Sequence, residues 1–354
     1  MNRLFKTYHL FKVLIIILLG ISSLTIKSQT IDPAYEVATW FGFCDAAISY
    51  TFDDGCSNQF NIAIPMLNEL GFCGTFFTVT GWSPDWKALQ AAAASGHEIA
   101  SHTVNHPNFR TIDITTQINE LKNSADSITK YIPESNGLTL AYPYCVRGND
   151  SIVAQYYIAA RGCKSYFEPA TPGNFLNISS IVCGSLGLVN SADVFRQEAD
   201  SAADIHGWRV YLIHGIDNDG GYSPLSSATL RKSLEYLDEN RDKFWVATFV
   251  NIVRYINERN CLNIRELEAN ADTIRLELTD TLNNIIYNQA VTVRRPLPKQ
   301  WKNVKGTQNG KEISTNIVVL NSRKYIEFNA IPDRGNLILY SCETLNTGHQ
   351  KKER

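Results

Sequence analysis

What most constrains the fold of this chain is a change of rhythm near Cys261. From residue 46 to residue 258, short apolar runs alternate with amphipathic stretches of helical period; beyond Cys261 only short alternating segments follow. The runs 46–52, 75–79, 98–101, 138–141, 208–213 and 244–248 read as strands. Between them, Phe60, Ala63, Ile64 and Leu67 share one helical face, and Ile118, Leu121, Ala125, Ile128 and Ile132 share another. Gly71 sits just past the first helix, as a C-terminal glycine does, and Gly96 stops a helix over 85–94. Strands alternating with helices imply parallel pairing through right-handed crossovers. About seven such units close into a barrel more readily than they make an open sheet. The expected class is therefore α/β, a distorted (β/α) barrel over 35–260.

Beyond Cys261 the segments 273–278, 291–294, 316–320, 325–328 and 336–340 alternate in polarity and are punctuated by Gly, Asn, Asp and Pro. They read as a small all-β, sandwich-like unit over 263–345, with a disordered polar tail over 346–354. Trp301 is the only tryptophan there, so packing against the barrel is expected rather than a sugar-binding platform. At the other end, Arg3, Lys6 and Lys12 precede an apolar run over 13–21, and the chain turns polar around Lys27 and Gln29. This is the layout of a signal peptide over 1–28, too short in its apolar core for a span of about 20 residues. The expectation is export to the periplasm or beyond, with no stable membrane span once the leader is removed.

A formal net charge of −2 gives no electrostatic case for nucleic acid, and a neutral polymer fits it better than a polyanion. Eight cysteines are scattered with no CxxC pair, which argues against a zinc ribbon or redox motif. In an oxidising compartment some of them are expected to pair.

The polar residues then fall in place. Asp53 and Asp54 follow the first strand, His102 and His106 the third, Tyr144 the fourth and His214 the fifth. Carboxyl ends of parallel barrel strands converge on one face, where active sites are built. Two histidines four apart put both imidazoles on one side of a helical turn, a common zinc arrangement. With one aspartate they make three ligands and leave a position open, as a catalytic zinc site does.

The run Thr51-Phe52-Asp53-Asp54-Gly55, then His102-Thr-Val-Asn-His106-Pro107, then Leu212-Ile213-His214 resembles the polysaccharide deacetylase, or NodB-homology, family in order and spacing. The resemblance implies a metal-dependent hydrolase that removes N- or O-linked acetyl groups from a carbohydrate. It implies Asp54, His102 and His106 as ligands of a divalent ion, zinc by expectation. Asp53 is then the general base and His214 the general acid. The backbone N–H of Tyr144 joins in oxyanion stabilisation, and Leu212 lines the wall that receives the acetyl methyl. The implied partner is an acetylated carbohydrate; no oligomeric state is specified.

Two departures from the family pattern stand out. The third motif reads Ala141-Tyr142-Pro143-Tyr144-Cys145, with Ala141 where the family carries the arginine that orients its aspartate. Arg147 and Arg161 are the candidates to replace it. The aspartate-tryptophan motif that tunes the histidine is not recognisable, and Glu168 is the only acid near its place. These gaps keep two other readings open: a catalytically impaired glycan-binding protein, and a metal hydrolase of non-peptide amides. The run Asp217-Asn218-Asp219-Gly220-Gly221-Tyr222 is expected to form a turn at the rim rather than a calcium loop. Tyr222, Trp82 and Trp86 are candidates for stacking on sugar rings.

Overall fold

The computed structural model describes residues 30–342. The expected leader and the whole of the expected tail lie outside that range. Among the described residues no helix is long and apolar enough to cross a membrane.

The chain begins with β1 (Glu36–Val37) and enters the barrel with β2 (Ala46–Asp53), α1 (Ile64–Glu69), β3 (Thr75–Thr78), α2 (Trp86–Ala94) and β4 (Glu98–Ser101). It continues through α3 (Ile114–Tyr131), β5 (Thr139–Ala141), α4 (Asp150–Val153), β6 (Ala159–Arg161) and β7 (Ile181–Val182). Then come α5 (Ala192–Asp204), β8 (Trp208–Ile213), α6 (Ser227–Glu239), β9 (Phe244–Val246) and α7 (Phe249–Cys261). The barrel strands pair in parallel in the order β6-β5-β4-β3-β2-β8-β7, with β9 added against the start of β2. Ile178 bridges to Arg161 of β6, and three residues later Ile181 pairs with β8, so the segment 178–182 joins the two ends of the curled sheet. The distorted barrel expected from the alternation is what forms.

Side-chain alternation sorts β2 into two faces. Ala46, Ile48, Tyr50 and Phe52 pack outward with helix residues such as Leu67, Leu230 and Leu234. Ala47 packs inward with Phe77, Ala100, Trp208 and Val210. With both faces covered, all eight residues of β2 are buried, as a central parallel strand requires. The inward polar residues are satisfied: Ser49 Oγ donates to the Ala247 carbonyl and Thr51 Oγ1 to that of Tyr211. The same alternation aims Asp53, the last residue of β2, into the barrel mouth.

The remaining strands are β10 (Asn263–Ala269), β11 (Thr273–Thr279), β12 (Val291–Pro296) and β13 (Asn303–Gln308), then β14 (Lys311–Ile313), β15 (Thr315–Leu320), β16 (Arg323–Ala330) and β17 (Leu337–Cys342). They form two antiparallel sheets, β10-β11-β17-β13-β14 and β1-β12-β16-β15. Both contribute to one core with Leu276, Val293, Phe328 and Leu339. Trp301 is buried there, donating Nε1–H to the Ala271 carbonyl, in keeping with packing. One sheet borrows its edge strand from ahead of the barrel: Glu36 and Val37 pair with Arg294 and Val293, and Tyr35 joins the sandwich core.

Candidate active site

The β2–β8 ladder ends at Phe52 and Ile213, and the next residue on each strand belongs to the site. Past that point the carbonyls of Asp53 and His214 have no partner across the β2–β8 ladder, although Asp53 still pairs with Phe77 of β3. Gln59, fully buried, supplies one: its Nε2 donates to Asp53 O at 2.6 Å and to His214 O at 2.9 Å. It sits on a π-helical turn (Gln59–Ala63) that opens the first helix, a widened turn often found at functional sites. Asp54 and Gly55 both take left-handed backbone, φ 71° each. The glycine adopts this without strain, and the turn lifts Asp54 over the mouth.

His102 and His106 do not lie on a helical turn, as their spacing suggested. They belong to an irregular loop after β4 in which Thr103 and His106 have φ of 68° and 55°. The loop is held by side chains instead. Thr103 Oγ1 accepts the His106 N–H, and the Glu120 carboxylate accepts the N–H groups of Val104 and Asn105 and the Asn105 amide. Glu120 is buried on α3, and its charge is answered by those three donors. The loop still brings both rings together, with centroids 4.7 Å apart.

Arg161 fills the place left by Ala141. It is 1% exposed, and its Nη2 donates to Asp53 Oδ2 while Nη1 donates to Ser180 Oγ. Arg147 instead forms a surface pair with Asp150. A disulfide joins Cys145, just after Tyr144, to Cys163, just after the Arg161-Gly162 pair. Glu168 does not replace the missing fourth motif. It bridges to Trp208 at the start of β8, the end away from His214, and accepts the Ser179 N–H. His214 Nδ1 is buried without a partner, and its Nε2 stands 3.9 Å from Asp53 Oδ2.

The loop after His214 is a turn, and its acids are used locally. Asp219 accepts from the N–H groups of Asn58, Ile216 and Gly221, tying the β8 exit to the β2 exit. Asp217 accepts the Ser227 N–H at the start of α6. Of the candidate aromatics, Trp82 and Tyr144 pack on His106 at 5.4 and 4.6 Å, and Tyr222 packs on His214 at 5.1 Å. All three are exposed. Trp86 is stacked on Tyr131, away from the site. An open cavity of about 510 Å³ is lined by Asp53, Asp54, both loop histidines, His214 and Tyr144, with Leu212 and Val182 as its apolar wall.

The donor set suits a divalent ion. Asp54, His102 and His106 offer ligand atoms that all lie within 4.8 Å of one another. His102 Nδ1 is 2.8 Å from the Ala141 carbonyl, so that nitrogen carries the proton and Nε2 presents a lone pair. Asp54 Oδ1 is buried without a hydrogen-bond partner, 3.5 Å from His102 Nε2 and 3.7 Å from His106 Nε2. Burial pushes His102 down to about 4 and lowers His106 as well, which keeps both rings neutral ligands. Burial and the neighbouring Asp53 push Asp54 up to about 6. Burial also works to raise Asp53, but Arg161, His102 and His214 outweigh it and hold its carboxyl below the usual range.

A parallel barrel with an Asp-His-His cluster and a buried Asp–Arg pair at its strand ends defines a class of site suited to metal-assisted hydrolysis. Residues 43–158 match the polysaccharide deacetylase family model. It is 30% identical over 324 residues to a gellan lyase of a Bacillus species, across 85% of this chain and 13% of that protein. It is 33% identical over 98 residues to a chitooligosaccharide deacetylase of Rhizobium leguminosarum bv. trifolii, across 26% of this chain and 44% of that one. The chain thus spans less than half the length of either relative. Among solved structures it is similar to a family 4 carbohydrate esterase from Bacillus anthracis, with 18% identity and a TM-score of 0.41 over 59% of this chain and 82% of that one.

Proposed function

We propose that this chain is an exported, metal-dependent deacetylase that hydrolyses acetyl groups on a carbohydrate, with zinc as the ion. The observation that carries this reading is the pairing of buried, ionised Asp53 with Arg161 beside the Asp54-His102-His106 cluster. A divalent ion held there supplies Lewis-acid chemistry, lowering the pKa of water toward ~7 and stabilising charge on an acyl oxygen.

The chain's own groups divide the remaining work. Arg161 occupies Asp53 Oδ2, while Oδ1 is buried without a partner and is free to take a proton from water. His214 Nε2, 3.9 Å from Asp53 Oδ2, is the donor to the departing nitrogen or oxygen. The Tyr144 N–H at the cavity wall is assigned to the acyl oxygen, and Leu212 with Val182 receives the methyl group. Exposed Trp82, Tyr144 and Tyr222 around the mouth suit the faces of sugar rings.

The test is acetate release by the metal-loaded protein from chitin oligomers, peptidoglycan, acetylated xylan and simple acetyl esters. Release that chelator abolishes and zinc restores is the expected result; no release from any of them removes the reading. The unpartnered Nδ1 of His214 favours one rival, a glycan-binding protein with an impaired site. Glycan affinity unchanged by His214→Ala, with no turnover in either protein, would establish it.

A further inference from the structure

The arm that holds Asp53 springs from a thin part of the barrel. Arg161 is the last residue of β6, a three-residue strand. One edge of β6 pairs with β5, and the other meets the chain through the single Arg161–Ile178 bridge. The Arg161 Nε is buried without a hydrogen-bond partner, and among the described residues the guanidinium is fixed by Asp53, Ser180 and the face of Phe77, 5.1 Å away. Just beyond, Cys163 is bonded to Cys145, whose backbone and that of Tyr144 are both left-handed, φ 57° and 54°. Two adjacent non-glycine residues hold such a conformation only where their surroundings enforce it. Both cysteines line the cavity, and the disulfide is the only one among the described residues.

We propose that the Cys145–Cys163 disulfide is a positioning brace for the reaction: it ties the exit of β6 to the exit of β5, holding Arg161 on Asp53 and Tyr144 at the cavity wall. Asp54, His102 and His106 leave β2 and β4, neither of which carries a half of the brace. It reaches them at second hand, through the Ala141 carbonyl on His102 Nδ1 and the Tyr144 ring beside His106, so metal binding depends on it less than the Arg161 contact does. The brace rests on the deacetylase reading for its kinetic consequence but not for its structural one.

The experiment compares the oxidised protein, the same protein treated with tris(2-carboxyethyl)phosphine, a reoxidised sample, and the Cys145→Ser/Cys163→Ser variant. The phosphine gives two electrons to the disulfide and takes oxygen from water, leaving two thiols and a phosphine oxide; it is removed before assay. Three quantities are read: kcat and KM for acetate release, zinc affinity, and amide hydrogen exchange over 142–146 and 159–163. Reduction is expected to lower kcat about 10- to 100-fold, the loss that a misplacement of order 1 Å brings. Exchange in both segments rises, KM holds, zinc affinity falls by less than kcat does, and reoxidation restores the starting values. The serine variant should match the reduced protein and ignore the phosphine. Unchanged kcat and exchange on reduction would overturn the brace, as would a fall in zinc affinity as large as that in kcat, which would mark general loosening. If the oxidised protein releases no acetate yet exchange rises on reduction, the brace stands and the deacetylase reading falls.

Discussion

Two places in this molecule bury carboxyl groups side by side, and they solve the same electrostatic problem in opposite ways. At the barrel mouth, Asp53 and Asp54 meet Arg161, His102 and His214, and Asp53 stays ionised although it is 2% exposed. At the seam between α7 and the sandwich, Glu258 is 1% exposed and faces Asp280 and, further off, Asp333. Burial first, then the hydrogen bond with Asp280, pushes Glu258 up to about 9. One oxygen of Glu258 and one of Asp280 are buried without partners. A buried acid keeps its charge only where cations and donors are built around it; otherwise it keeps its proton. The first arrangement keeps a charged carboxylate, the second a neutral structural contact.

The comparison is broken most severely by Asp53→Asn. It should cut kcat for acetate release by about 10²–10⁴, the range for a lost general base, while zinc binding persists by calorimetry. Next comes Arg161→Met, which would strand the Asp53 charge as Glu258 would be stranded if ionised. Removing one member of a buried pair costs about 3–5 kcal/mol, readable by urea unfolding, and kcat should fall with it. The smallest effect, and the one that sharpens the contrast, is Glu258→Gln. The folded-state pKa of Glu258 lies above the ordinary value of 4.5, so its favourable contribution is complete below 4.5 and is lost as pH rises through about 9. The glutamine variant should therefore be more stable than the parent at pH 8, by on the order of 1–3 kcal/mol, and equal to it near pH 4. Its acetate release should be unchanged. A variant equally destabilised at both pH values would show that the seam needs the carboxyl for packing rather than tolerating it as a proton carrier.

Much of this was readable from the chain because strand ends are written in short-range patterns. The runs before Asp53, His102, Tyr144 and His214 name their strands, and parallel strands bring their carboxyl ends together whatever the loops do. The conformation of the His102–His106 loop was not readable: spacing of four suits a helix, but Glu120 and Thr103 hold the backbone in another shape. Arg161 was one of two candidates on the sequence, and only the closure of the barrel through Ile178 separates it from Arg147. Gln59 carried no signal beyond being polar at the start of an apolar helix, since its partners are carbonyls brought together by a ladder ending. The pairing of Cys145 with Cys163 was equally silent, because eight cysteines admit many connectivities.

The borrowed edge strand has a consequence for biosynthesis. Glu36 and Val37 leave the ribosome before any barrel strand, yet Arg294 and Val293, their partners, emerge only after every barrel strand has been made. The barrel can therefore close while β1 waits, and the sandwich forms after it, by a contact of long sequence separation that is slow to find. Cutting the gene after Cys261 would not release a self-contained barrel. It would strip Tyr35 and Val37 of the sandwich residues they pack against and leave the β1 edge unpaired, a seed for association between nascent chains.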